Sequence, residues 1–124
     1  KKKNNKVNGT YSAWFDKGIV EGGAAAYFNG IHPTYDLHAG ESETGFGLMR
    51  YPELLDKAQI ASLKPNYEGE FLFERIGAGA KDFIECGAPD AYFGDPAAAT
   101  AENADKQYDV FSDYVVDEVR ALLG

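Results

Sequence analysis

A chain of 124 residues, 44% of them hydrophobic and with eight Phe, eight Tyr and one Trp, has the length and composition of one domain, 1–124, with a buried core. Its formal net charge of −8 and pI near 4.6 argue against general affinity for nucleic acid or for an anionic membrane, and no run of about 18 apolar residues is present to cross a bilayer. The single cysteine, Cys86, excludes an internal disulfide and a cysteine-rich zinc site, which fits a reducing, cytoplasmic setting.

Lys1, Lys2, Lys3 and Lys6 are interleaved with Asn and predict a solvated tail, because the residues after them lack the apolar stretch of a signal peptide. Residues 7–15, VNGTYSAWF, carry β-branched and aromatic side chains and predict a strand interrupted by Gly9. Residues 18–35 are dense in Gly and small residues and show no period. They predict a loop with a short helical turn near Ala24–Phe28, and they have neither of the spacings of a phosphate-binding loop. A helix is predicted over 40–50, with Glu41 and Glu43 in a first turn where the dipole favours negative charge. Pro52 ends it by disfavouring helical geometry at Tyr51. Residues 57–68 predict a loop, and EFLFERI (70–76) alternates well enough for a strand.

The last helix carries the strongest local signal. Asp95 is placed to cap it, with Pro96 at the first helical position. Ala104, Tyr108, Phe111, Val115, Val119 and Leu122 recur at steps of three and four and predict one apolar stripe facing a core. The opposite face, with Glu102, Asp105, Asp109, Asp113, Asp117 and Glu118, is an acidic, wetted surface.

The stretch DLHAGESET (36–44) sets a histidine and two carboxylates ahead of an apolar run. It has the pattern of a helix start and equally that of an active-site rim. His38 lies beside Ala39 and Gly40, which leave room for a ligand near the backbone. Asp36, Glu41 and Glu43 stand within reach to orient an imidazole, the usual group for moving a proton near neutral pH. Glu43 suits either first-turn capping or support of a metal-bound water, and its spacing does not choose between them. His32, followed by Pro33, has the context of a loop residue, and Cys86 that of a small, half-buried one. A metal site needs three or four converging ligands, and no fixed spacing such as HExxH occurs. Ser12, Ser42, Ser62 and Ser112 all lack the strand-elbow setting of a nucleophilic serine.

DLHAGESETGFGLMRYPELLD (36–56) resembles the D-x-H-A-G-E-x-E-T-S-L-M-L…P-E-L-V segment of the creatininase family of metal-dependent amidohydrolases. KVNGTYSAWFD (6–16) resembles the family's late strand that carries an aromatic near the substrate. The segment from Tyr92 to Val119 is similar to the G-D-P…A-T-A-E-K-G start of its final helix. The resemblance implies an α/β fold, part of a three-layer α/β/α sandwich with a mostly parallel sheet, and a hexamer-like homo- or hetero-oligomer. It implies a binuclear divalent metal centre, zinc or manganese, that activates water against a C–N bond in a cyclic or formyl amide of a small polar molecule. On the matching positions, His38 would be the catalytic proton shuttle, Glu43 a catalytic group near the metal and a tentative ligand, and Trp14 and Glu41 substrate contacts. Gly45 departs from the family's serine. The family's main ligand motifs, E-x-H and G-H-x-x-N, occur nowhere in these 124 residues. The resemblance therefore covers the C-terminal half, and a partner chain or segment with the N-terminal half is expected to supply the metal ligands. Hydrolysis of an oxidised cyclic sugar such as a keto-inositol, and a non-catalytic structural or regulatory role, are the alternatives.

Overall fold

Five α-helices and five short 3₁₀ turns make up the computed structural model, which describes residues 12–124. The helices are α1 (Trp14–Val20), α2 (Glu41–Arg50), α3 (Lys57–Ser62), α4 (Leu72–Gly77) and α5 (Ala101–Leu123). The longest, α5, is the spine. Thr100 caps it, its hydroxyl accepting the Asn103 amide at 3.1 Å, which satisfies one of the donors a helix start leaves open. Ala104, Gln107 and Phe111 turn inward from successive turns and are buried, and α1 and α2 lie against this face.

Small residues set how closely the helices approach. A Cβ built on Gly18 of α1 would stand 2.5 Å from a ring carbon of Phe111, and one on Gly22 would stand 2.7 Å from the side chains of Val110 and Tyr114. The backbone of α1 therefore rests directly on α5. Trp14 and Phe15 pack on Phe111 with ring centroids 5.1 and 5.2 Å away, in the offset and edge arrangements that aromatic quadrupoles favour.

A second cluster joins Leu72, Cys86, Ala88 and Phe93, with Ala80 at its margin. It is tied by two isolated antiparallel bridges, His38 with Phe93 and Asn66 with Gly94. The Asn66 side chain donates to the carbonyls of Gly87 (3.1 Å) and Tyr92 (3.0 Å) and accepts the Glu68 amide at 2.8 Å. Arg75 pairs with Glu68 and donates to the Cys86 carbonyl at 2.5 Å. Cys86 is thus a buried core residue, more enclosed than the half-buried position its sequence context suggests.

The α/β/α sandwich with a mostly parallel sheet is not what these residues form: among the described residues there is no strand or sheet, only the two bridges. The reason is visible at EFLFERI, predicted as a strand and observed as the 3₁₀ turn Glu68–Phe71 running into α4. A strand must pair its backbone groups with a neighbour, and without one a helix satisfies them locally. Arg75 also stacks over the Phe71 ring at 5.4 Å, four residues apart on one helical face. The strand predicted over 7–15 falls mostly outside the described residues, as does the lysine-rich tail, and its end at Trp14 already belongs to α1.

The 57–68 loop contains α3, capped by Asp56, whose carboxylate accepts the Ala58 and Gln59 amides at 3.0 Å each. Asp95 does not cap the last helix: Pro96 opens the 3₁₀ turn Pro96–Ala98, and α5 begins only after Thr100. The predicted α2 is present at Glu41–Arg50, and Ala24–Tyr27 forms the expected short turn.

Candidate active site

The loop between the 3₁₀ turn Pro33–Tyr35 and α2 is held by two carboxylates that reach in opposite directions. Asp36 is 7% exposed, and its side chain accepts the amides of Glu41 at 2.5 Å and Ser42 at 3.1 Å, which closes the first turn of α2. Glu43 reaches back to accept the Ala39 amide at 2.6 Å. This is a capping box stretched over a longer loop, in which orphan donors at each end are satisfied from the other. Between them Ala39 adopts φ 47°, a left-handed conformation that a residue with a Cβ holds only when its surroundings impose it. Gly40 and Gly94 flank Asp36 so closely that a Cβ on either would meet its Oδ1.

Burial pushes the Asp36 carboxyl up to about 6, with the two amide bonds pulling the other way and Glu41 and Glu43 adding repulsion. Glu41 is also buried. Its two carboxylate oxygens accept the amides of Asn29 (2.6 Å) and Gly30 (2.8 Å), and burial raises its pKa against those bonds, with Asp95 adding to the rise.

His38 sits on this loop with its backbone fixed. Its carbonyl accepts the Phe93 amide at 2.8 Å, its ring lies 4.8 Å from that of Phe83, and the residue is exposed. It opens onto a cavity of about 800 Å³ between α1, α2 and α5. Glu43 and Ser42 of α2, Trp14 and Phe15 of α1, and Gln107, Tyr108 and Phe111 of α5 line the same space. The structure therefore brings His38, Glu43 and Trp14 together from three separate elements. Glu41 faces the Asn29–Gly30 backbone and does not line the cavity. His32 caps its own turn, its Nδ1 accepting the Thr34 amide at 3.2 Å.

Two buried polar residues, Gln107 and Asp36, line the cavity although sequence reasoning did not single them out. Gln107 is 3% exposed. Its Nε2 donates to the Tyr27 carbonyl at 2.8 Å, which fixes the amide orientation because a carbonyl only accepts. Its Oε1 is buried with no partner among the described residues. The spacing 104, 107, 111 would have placed it on the buried face had a polar residue been allowed there. Asp36 was visible only as one of several acids near His38, and nothing local separates a buried acid from an exposed one.

A binuclear centre does not fit these side chains by themselves. Among the described residues no three His, Cys, Asp or Glu side chains are grouped to hold a cation, and Glu43 already commits one oxygen to Ala39. A catalytic divalent metal asks for about three protein ligands, and the cavity offers His38 and Glu43 with Asp36 committed to its cap.

A family model, Creatininase, described as creatinine amidohydrolase, matches residues 6–119 of the chain. No curated protein and no solved structure matches it.

Proposed function

The chain belongs to the creatininase family, and from that premise we propose that it supplies the proton-handling side of a hydrolase that cleaves a C–N bond in a cyclic or formyl amide of a small molecule. The observation that carries this reading is the single cavity shared by His38, Glu43 and Trp14. An exposed imidazole on a pinned backbone is suited to take a proton from attacking water and return it to the leaving nitrogen. The Trp14 ring, 40% exposed in the cavity wall, offers a flat apolar surface to a planar substrate. Glu43 holds the loop through Ala39 and leaves its other oxygen for the site.

Members of this family are generally metal-dependent. Because the described residues do not gather a complete donor set, we assign the zinc or manganese ligands to a chain or segment that carries the N-terminal half, with the E-x-H and G-H-x-x-N motifs this sequence lacks. The half-exposed apolar face of α5, with Val115, Val116 and Val119, is surface that such a segment would cover.

Native mass spectrometry with elemental analysis for zinc and manganese tests this first. A second chain with about two metals per pair, and loss of hydrolysis of creatinine or a formyl amide in His38→Ala, would support it. A lone, metal-free chain inactive on both, and on a keto-inositol, would withdraw the enzyme reading.

A further inference from the structure

The His38 loop keeps a left-handed alanine. Ala39 at φ 47° holds a conformation that costs on the order of 1 kcal/mol or more in a non-glycine residue, and such strain persists only where neighbouring bonds over-determine it. Four bonds do so here: the amides of Glu41 and Ser42 to Asp36, that of Ala39 to Glu43, and that of Phe93 to the His38 carbonyl. Of the two carboxylates, only Asp36 is buried, and it fills a cradle shaped by Gly40 and Gly94.

A simpler cap would not need this cradle. Asp56 satisfies two amides of α3 equally well from an exposed position and without any glycine packed on it. Asp36 also lines the cavity that His38 faces.

We propose that Asp36 is a positioning residue for His38: by closing the 36–42 loop from inside the cavity wall, it holds the imidazole against Phe83 at the angle the reaction uses. This rests on the reading of His38 as the proton-handling group. Released from Asp36, Ala39 relaxes to negative φ and the His38 ring leaves Phe83. The loop keeps its Phe93 bond, so binding of substrate is spared while its turnover is lost.

The test compares Asp36→Asn, which sets an NH₂ against one of the two amides in the cavity wall, with Asp56→Ala, which removes a two-amide cap away from it. Nuclear magnetic resonance of the His38 ring in the full chain reads its position without any activity, because the Phe83 ring current marks the packed state. Asp36→Asn is expected to move and broaden those signals, and Asp56→Ala to leave them in place. In the active assembly, Asp36→Asn is expected to lower kcat by about a hundredfold, the scale of a small misplacement of a reacting group, with KM within about twofold. Asp36→Ser, which keeps one acceptor as asparagine does but sets no NH₂ against the second amide, is expected to give an equal or smaller loss and covers the case in which asparagine fails to fold.

Unmoved His38 signals in Asp36→Asn, or equal movement in Asp56→Ala, overturn the proposal. If instead the ring moves as expected but His38→Ala keeps full activity, the positioning holds and the proton-handling role of His38 falls.

Discussion

Gly45 of α2 lies flat against Ala104 of α5. A Cβ on Gly45 would stand 3.0 Å from the Ala104 methyl and 3.2 Å from the Thr100 carbonyl, so the two helices meet at the distance a glycine permits. This is the position where the family's serine is replaced. An alanine is better than glycine inside a helix by about 1 kcal/mol, but overpacking a contact with backbone on one side costs about 1–3 kcal/mol. Gly45→Ser is expected to lower the unfolding free energy by about 1–2 kcal/mol. Shrinking the facing residue with Ala104→Gly should recover part of that loss, a coupling read by denaturant unfolding of the two single variants and the double variant. A serine variant more stable than the parent would show that α2 and α5 are free to part.

Asp36 makes the chain respond to acid in an unusual direction. Its folded-state pKa of about 6 lies above the ordinary 3.8, so the folded chain binds a proton that the unfolded chain does not between about pH 6 and pH 4. The stability from this group is complete below about pH 4 and is lost as pH rises through 6, a swing on the order of 2–3 kcal/mol. Glu41, raised by burial as well, works in the same sense. Surface pairs such as Glu102 with Lys106 work in the opposite sense, and moderate salt screens them. Thermal unfolding in salt should therefore show Tm rising from pH 7 to pH 5, and Asp36→Asn should flatten the rise. A parent Tm that falls over that interval would contradict the burial argument.

The sequence made α2 legible because its signals agree: acids in the first turn, an apolar run, and Pro52 at the stop. It made only part of the stripe of α5 legible, since Ala104 and Phe111 are buried while Tyr108, Val115, Val119 and Leu122 stay 38–46% exposed, and it misplaced the start of the helix. Asp95-Pro96 is the stronger local cap signal, yet a 3₁₀ turn consumes it and Thr100 caps the helix. EFLFERI misled for a different reason. Alternation measures which residues suit a half-buried sheet, whereas the conformation depends on whether a neighbouring strand is present to take the hydrogen bonds. At the site, His38 stood out by residue type and by the family motif. The burial of Asp36 could not, since Gly94, which helps to enclose it, lies 58 positions away in the chain. Gln107 was hidden by its polarity inside an otherwise apolar stripe.

The bond between Glu41 and the Asn29–Gly30 backbone ties the glycine-rich segment to the start of α2. Glu41→Ala leaves two amides of exposed residues without their acceptor, and is expected to cost about 1–3 kcal/mol, given about 0.5–1.5 kcal/mol net for each hydrogen bond. Glu41→Gln keeps the shape but presents an NH₂ to one of the two donors, so about half that cost is expected. Hydrogen exchange locates the effect: the amides of Asn29 and Gly30 should lose protection first. Unchanged protection at both would mean that the carboxylate is dispensable to that segment.

Phe111 is the side chain on which α1 depends. It is 8% exposed, carries Trp14 and Phe15 on its faces, and lies against the open side of Gly18. Phe111→Ala would remove the ring that holds α1 to α5, at about 3–5 kcal/mol for a buried aromatic. A domain of this size has about 5–15 kcal/mol in all, so much of its margin would be gone. Trp14 is the only tryptophan, and its fluorescence reports this contact directly. In the parent, emission should shift red in one transition with global unfolding. In Phe111→Leu, which keeps apolar bulk but no aromatic face, α1 should detach earlier, so the Trp14 transition precedes the loss of helix read by circular dichroism. Coincident transitions in that variant would show that Gly18 and Gly22 hold α1 in place without the ring, and would move the weight of this contact from the aromatic cluster to the close backbone approach.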